Sequence, residues 1–193
     1  MGESYKEQLK ISFLIVGLFF VVFLVLAFCY RDFFGKKKKV ETEDFVVKFK
    51  SSDVLTIENK LPVADAIGKT FNGTGTAEGI QGYVEFSVQN INKEEKEYVI
   101  LLTKQVKEEE MLGDYVKFYL TNEEDLPFEG FDGNVVPCYS NFLAYSKRPA
   151  SRVLYTGKID GKSELKFKLR VWLDDSYVIS NHKEYFSIDI DVQ

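Results

Sequence analysis

Residues 165–171 read LKFKLRV, and this stretch decides the fold that the sequence predicts. Apolar residues at positions 165, 167, 169 and 171 alternate with a basic residue at each position between them. Successive side chains on a β-strand point to opposite faces, so a period of two is typical of a strand with one buried face and one solvent-exposed face. The stretch therefore predicts a strand that packs on a core with one face and is exposed to solvent on the other.

The same alternation recurs along the chain. Its apolar positions are Phe45, Val47 and Phe49; Val84, Phe86 and Val88; Val116, Phe118 and Leu120; and Phe186, Ile188, Ile190 and Val192. Residues 98–102 (YVILL) are apolar throughout and predict a central strand, and residues 55–57 and 153–155 predict two shorter ones. No long amphipathic helical stretch follows residue 40. The predicted fold is all-β: an antiparallel, Ig-like β-sandwich of about eight strands over residues 44–193. Because the Cys…Trp…Cys signature of a true immunoglobulin domain is missing, the term Ig-like describes only the architecture.

A different pattern precedes the strands. Residues 11–30 read ISFLIVGLFFVVFLVLAFCY and carry no charge. At about 1.5 Å per residue, a helix of this length spans roughly 30 Å, the thickness of a bilayer's hydrocarbon core. A signal-peptide core is normally about 7–15 residues long and ends in small residues, unlike this one. The sequence therefore predicts a polar tail at 1–10 and a transmembrane helix at 11–30. Residues 26–29 only partly match a lipoprotein box, because large Phe28 precedes Cys29, so lipidation of Cys29 stays open.

Residues 31–43 form a predicted basic juxtamembrane linker. Its membrane-interface residues are predicted to be Arg31, Phe33, Phe34, Lys36, Lys37, Lys38 and Lys39. Basic side chains are attracted to anionic lipid headgroups, and aromatic rings favour the interface. The alternative is that this collar binds an anionic lipid or wall polymer specifically.

The orientation of the helix has two interpretations. Two lysines, Lys6 and Lys10, precede it and five basic residues follow it, which favours a cytoplasmic C-terminal part. A β-sandwich of this size is, however, common on cell surfaces. We expect the domain to lie outside the cell, with a cytoplasm-facing adaptor as the alternative.

Charge and cysteine content exclude several classes. The chain has 193 residues, 25 basic and 30 acidic, and its sequence pI is about 5.1. Residues 40–193 carry 18 basic and 27 acidic residues, a net charge of −9. Such a domain is repelled from anionic lipid and is an unsuitable partner for nucleic acid. Two cysteines are too few for a disulfide framework or a four-cysteine zinc site.

The chain shows no pattern typical of a catalytic centre or a cofactor. It lacks HExxH, GxSxG, GxGxxG and P-loop motifs, and its single histidine, His182, lies in a polar turn. Cys138 has no spacing that suggests a partner for catalysis. We predict no catalytic residue, no cofactor and no metal. Two alternatives remain open: a hydrolase that uses loop carboxylates, and a calcium site formed by Asp174, Asp175, Asp189 and Asp191 instead of a solvated face.

The long stretch from 122 to 152 is the most distinctive part of the domain. Its predicted binding residues are Phe128, Phe131, Tyr139, Phe142, Tyr145 and Arg148. Long loops tend to be functional, and aromatic residues near arginine suit a binding surface. The alternative is that these aromatic residues close one end of the sandwich as core. A second irregular stretch, 60–76, is expected at the same end.

Residues 82–90 (GYVEFSVQN), 98–102 and 165–174 (LKFKLRVWLD) carry a resemblance. Over roughly residues 80–193 the chain resembles small membrane-tethered β-sandwich proteins of low-GC Gram-positive bacteria. It is also distantly similar to biofilm-fibre and camelysin-like surface proteins, whose processing site it does not match. The resemblance implies a surface module without a known catalytic residue. We therefore expect a non-catalytic binding or assembly module, held in the bilayer by residues 11–30, whose partner is an unknown protein or envelope polymer.

Overall fold

The alternating stretches form the strands of two sheets. A computed structural model describes residues 38–58, 61–72, 82–105, 113–178 and 185–193. The predicted transmembrane helix at 11–30 and residues 31–37 of the collar lie outside the described residues. Among the described residues, no helix is both long and apolar enough to cross a membrane.

The strands have 2–12 residues, and the helices are single turns. The strands are β1 (Lys39–Glu41), β2 (Phe45–Phe49), β3 (Val54–Glu58), β4 (Gly82–Asn90), β5 (Lys96–Lys104), β6 (Val116–Thr121), β7 (Ala144–Tyr145), β8 (Arg148–Ile159), β9 (Glu164–Leu173) and β10 (Tyr185–Val192). One α-helical turn, α1, spans Asp65–Gly68, and 3₁₀ turns span Gly113–Tyr115 and Tyr139–Asn141.

Two antiparallel sheets of five strands each make up the fold. The first sheet has the order β1-β2-β4-β9-β6, and the second has the order β3-β10-β5-β8-β7. All eight predicted strands are present, and β5, which contains the YVILL stretch, is central in its sheet as predicted. Between β2 and β7 every connection passes from one sheet to the other, so the two sheets are joined along the whole chain.

Two of the ten strands were not predicted. β1 and β7 have only three and two residues, too few to show an alternation. β1 pairs with β2, with Val40 opposite Val47. It lies inside the stretch 31–43 that was predicted as a linker, so within the described residues the first sheet already includes Lys39.

The core lies between the sheets and is rich in aromatic rings. Phe49, Phe86 and Phe167 occupy one cross-strand row of the first sheet, with ring centroids 5.5 and 5.1 Å apart. Tyr98 from the second sheet meets Phe167 edge-on at 5.9 Å. Such pairs add to the free energy of burial, so this row joins the two sheets at their centre.

The prediction of one wet face per strand is wrong for part of the first sheet. Arg170 and Trp172 belong to the outward face of β9, yet they are 2% and 0% exposed. Residues 61–72 cover them: Val63 pairs with Asp174, and Gly68 lies against the Trp172 ring. A Cβ atom at position 68 would be 2.3 Å from that ring, so a glycine is required for this close approach.

A buried asparagine joins the turns at one end of the sandwich. The Nδ2 atom of Asn90 donates to the carbonyl oxygens of Glu94, Ile159 and Asp160 at 2.8–3.3 Å. Its Oδ1 atom accepts from the amide of Asn92 at 2.8 Å. Because Asn90 is fully buried, these groups have little access to water. The β4–β5 turn is thereby attached to the β8–β9 turn.

We expect Asn90→Ala to lower the free energy of unfolding by about 2–3 kcal/mol, because it leaves buried carbonyl groups without a donor. Chemical denaturation of the full chain measures this. The matched control is Asn134→Ala at an exposed loop position, which should change the free energy by less than about 0.5 kcal/mol. Equal effects of the two substitutions would contradict the assigned role of Asn90.

Candidate functional site

The uncovered half of the first sheet's outer face forms a shallow groove of about 530 Å³. The strand register aligns Lys48, Ser87 and Lys166 in one cross-strand row, and Glu85 lies opposite Lys168 in the next. The groove is lined by Lys48, Phe49, Lys50, Glu85, Phe86, Ser87, Glu123, Lys166, Phe167 and Lys168. Three paired strands form its floor, so its charged groups are held at fixed spacings.

The lysines of the groove lie in ion pairs. Lys48 is 3.3 Å from Glu164, and Lys166 is 2.6 Å from Glu123. Lys50 pairs with Glu85. The Lys48, Lys50 and Lys166 side chains are each 45% or more exposed. Exposed ion pairs contribute about 0–1 kcal/mol, so a charged ligand would displace these partners at little cost.

Two carboxylates in and beside the groove are held ionised. Burial alone would raise the pKa of Glu85, but hydrogen bonds from Lys50 and Tyr83 outweigh it and lower the pKa below its ordinary value. The Ser87 hydroxyl donates to Glu164 at 2.7 Å, and this bond, helped by Lys48, lowers the pKa of Glu164. A general acid at neutral pH needs a raised pKa instead. Both carboxylates are shifted in the opposite direction.

Arg170 anchors the covered half of the same face. Its guanidinium donates to the carbonyl oxygen of Phe71, to Thr121 Oγ1 at 2.9 Å and to Asp125 Oδ1 at 2.5 Å. It also lies 5.6 Å from the centroid of the Tyr83 ring. One buried side chain therefore joins residues 61–72, the loop after β6 and three strands of the sheet.

Asp125 is placed for this contact by an unusual backbone conformation. Its φ angle is 65°, in the left-handed region that only a few residue types tolerate. The Asn122 side chain supports the turn by accepting from the amides of Glu124 and Leu126, each at 2.9 Å. Hydrogen bonds from Arg170 and then Lys168 lower the pKa of Asp125. The carboxylate thus stays charged above the otherwise buried guanidinium.

A second anchor lies at the far end of the covered half. Lys117 Nζ is 2.8 Å from Asp65 Oδ1 and also pairs with Asp174. Burial alone would lower the pKa of Lys117, but hydrogen bonds to Asp174 and Asp65 outweigh it and raise the pKa. Trp172 Nε1 donates to the same oxygen of Asp65 at 3.3 Å. The start of α1 is thereby fixed on β6 and β9.

Most of the predicted binding residues of the 122–152 stretch are core residues. Phe131, Tyr139 and Phe142 are less than 10% exposed and belong to the main core cluster. Phe128 is half-buried and packs on Phe167 with 5.1 Å between ring centroids. These four rings pack in or against the core, as in the alternative that the sequence left open. Little of their surface is therefore available to a ligand.

Tyr145 and Arg148 are placed differently. Tyr145 is half-buried in β7, and Arg148 is exposed and pairs with Asp191 at 2.9 Å. A binding role for these two residues stays a prediction. Residues 60–76 were predicted to lie at the same end of the sandwich as the 122–152 stretch. The described residues 61–72 do meet that stretch, but at Arg170 on the outer face of the first sheet.

Three of the four acidic residues considered for calcium have other partners. Asp174 pairs with Lys117 and accepts from Ser176, and Asp191 pairs with Arg148. Asp189 Oδ1 accepts from Gln105 at 2.8 Å. Within the described residues, no three His, Cys, Asp or Glu side chains lie close enough to share a metal ion.

The remaining predicted positions are only partly described. Of the basic collar, Lys38 pairs with Asp53 and Lys39 with Glu41, so both lysines interact with the domain. Arg31, Phe33, Phe34, Lys36, Lys37, Cys29 and His182 lie outside the described residues. Cys138 is a half-buried free thiol whose pKa is raised, chiefly by burial. A raised pKa keeps a thiol protonated and unreactive.

We expect Arg170→Met to lower the free energy of unfolding by about 2 kcal/mol, because Phe71 and Thr121 lose a charged donor that water cannot easily replace. Urea denaturation measures the change. Lys166→Met on the same strand removes an exposed ion pair and is the matched control, with no expected change in the midpoint. If the two variants are equally stable, Arg170 is not an anchor.

The lowered pKa values of Glu85 and Glu164 predict that both residues contribute to the loss of folding stability at acid pH. Their stabilising contributions are present above pH 4.5, the ordinary pKa of glutamate, and are lost as the pH falls below it. Urea midpoints at pH 7 and at about pH 3.5 should therefore differ less in a Glu85→Gln, Glu164→Gln double variant than in the parent chain. Glu124→Gln is the control and should keep the parent's pH dependence. A double variant with the parent's full acid loss would contradict this account.

Comparisons of the chain with protein families, with curated proteins and with solved structures find no match.

Proposed function

We propose that this chain is a membrane-tethered, non-catalytic binding or assembly module that is displayed at the cell surface. The uncharged run at 11–30 supports the tether, since its length suits a bilayer. The two-sheet domain supports the module, because its paired strands present surface side chains at fixed spacings. The resemblance to membrane-tethered β-sandwich proteins of Gram-positive bacteria supports the cell-surface location.

The charged groove is the observation that carries the binding proposal. It combines a rigid floor with lysine side chains whose present partners are weakly held. A ligand with its own charged groups can exchange with Glu123 or Glu164 without leaving a buried charge unpaired. A protein surface or an envelope polymer with charged groups along an extended chain has this chemistry.

The electrostatics of the groove favour binding over hydrolysis. A carboxylate-dependent hydrolase needs one carboxyl group that stays protonated near neutral pH and another that stays ionised. Glu85 and Glu164 are both shifted toward the ionised form. The hydrogen bonds that lower these two pKa values also engage the carboxylate oxygens with Tyr83 and Ser87. The groove thus supports recognition rather than proton transfer.

Protease treatment of intact cells that express the full chain with a C-terminal epitope tests the topology. We expect loss of the epitope from intact cells, because the domain is proposed to face outward. Retention of the epitope in intact cells, with loss only after lysis, would instead assign the domain to the cytoplasm and support the adaptor alternative.

Site-specific photocrosslinking tests the groove. A photoreactive phenylalanine at Lys166, in the groove, should give adducts with a partner in intact cells. The control position is Lys147, an exposed residue between β7 and β8 outside the groove, which should give none. Adducts from Lys147 alone, or from neither position, would contradict binding at the groove.

A further inference from the structure

Among the described residues, part of β8 is an edge of the second sheet without a pairing strand. β7 pairs only with the first residues of β8, opposite Arg148 and Arg152, and the last backbone hydrogen bond on that side runs from the Val153 amide to the Leu143 carbonyl oxygen. Beyond it, the Phe128 ring packs on Tyr155 with 5.0 Å between ring centroids. From residue 154 to 159 no described strand lies beside β8. An open edge presents backbone donors and acceptors to any extended chain that approaches.

The register shows which backbone groups are free. Val99 of β5 exchanges both of its backbone hydrogen bonds with Gln193, on the side away from β8. Hydrogen-bonding direction alternates along an antiparallel strand, so Tyr98 directs its backbone groups toward β8 and pairs with Gly157. Thr156 and Lys158 therefore direct their N–H and C=O groups away from the sheet.

The other edges in the described part of the fold are short or protected. β1 and β7 have three and two residues. The outer edge of β6 is covered, because the Phe118 amide donates to Pro137 and the Leu120 carbonyl accepts from Phe128. At the edge strand β3, the amide of Val54 donates to the Ser52 hydroxyl at 3.0 Å. Residues 154–159 of β8 are the longest of these edge stretches without a described covering strand.

Beside this edge, the outer face of the second sheet has a hollow of about 320 Å³, lined by Glu97, Tyr98, Val99, Thr156, Gly157 and Lys158. The Tyr98 side chain points to the opposite face, into the core, where its hydroxyl lies near the same edge. Tyr98 is 1% exposed, and no described residue accepts a hydrogen bond from its hydroxyl. The hydroxyl lies where a side chain of residue 157 would begin, 2.7 Å from the position of a Cβ atom there. A buried donor without an acceptor is unfavourable and calls for a partner from outside.

We propose that an extended peptide of a partner protein adds to β8 as a further antiparallel strand. Its backbone bonds to Thr156 and Lys158, and a side chain with a hydrogen-bond acceptor, such as Asp, Asn or Ser, lies opposite Gly157 and accepts from Tyr98. Residues opposite each other between two hydrogen-bonded pairs have the closest side chains, so this position is within reach. A second copy paired symmetrically about Gly157 would place Gly157 opposite Gly157 and supply no acceptor there.

This inference names a binding mode and rests on the proposed function as a binding module. It uses a site on the second sheet, whereas the proposed function rests on the groove of the first sheet. Photocrosslinking at Lys166 can therefore succeed where strand addition fails, and the two failures are distinguishable.

Amide exchange by NMR on the full chain in detergent tests the geometry. In the free chain, the amides of Thr156 and Lys158 should exchange much faster than those of Gly157 and Ile159, which are bonded to β5. Tyr98→Phe should leave the unfolding midpoint unchanged or raise it, because it removes a hydroxyl without a partner. Equal protection of all four amides, or a lower midpoint for Tyr98→Phe, would overturn the inference.

Selection from a displayed library of random nine-residue peptides on the full chain tests the binding. Selected peptides should share an acceptor side chain at one position, slow exchange at Thr156 and Lys158, and lose binding to Thr156→Pro by at least tenfold. Thr156→Val is the matched control, since it keeps the outward N–H, and should bind as the parent does. With Tyr98→Phe, the preference for the acceptor residue should disappear.

Three outcomes would overturn strand addition. They are that no peptide is selected, that Thr156→Pro binds the selected peptides as well as Thr156→Val does, or that the chain dimerises through this edge. The last outcome would identify a second copy as the occupant. Thr156→Pro changes only an outward amide on an edge strand, so it should fold, and its unfolding midpoint checks this.

Discussion

The buried guanidinium of Arg170 is the interaction on which the outer face of the first sheet depends. A buried charge is tolerated only where it is paired and fully hydrogen-bonded. Phe71, Thr121 and Asp125 meet that requirement together: Phe71 belongs to residues 61–72, while Thr121 ends β6 and Asp125 lies in the loop after it. Because the charge needs all three, the irregular stretches 61–72 and 122–128 are held against the sheet.

This anchoring divides one face into two halves with different properties. Over Trp172 and Lys117, residues 61–72 exclude water and the face behaves as a second, smaller core. Beyond Tyr83 the face stays open, and its lysines and carboxylates form the groove. The closed half fixes the strands that form the groove floor, so the proposed binding surface has a rigid base. The open edge of β8 lies on the other sheet.

The sequence predicted the strands well and the outer face poorly. Alternation over five or more residues follows from burial of one face, so it revealed eight strands and the central position of β5, but not β1 or β7. The alternation predicts that Arg170, between Leu169 and Val171, is exposed to solvent. Its burial depends on partners 99 and 45 positions away in the chain, which a local pattern does not show. The groove depends on which strands are neighbours in the sheet, and the periodicity of the sequence does not predict strand order. Residues 61–72 have no apolar period, although Gly68 and Asp65 decide where they pack.

Hydrogen exchange of the Arg170→Met variant in the full chain tests the central claim most directly. If Arg170 anchors both irregular stretches, amides of residues 63–72 and 122–128 lose protection together, while β4 and β5 keep the protection that the inter-sheet core gives them. Unchanged protection in both stretches would contradict the account. So would a uniform loss across both sheets, because it would show that the outer face has no separate anchor.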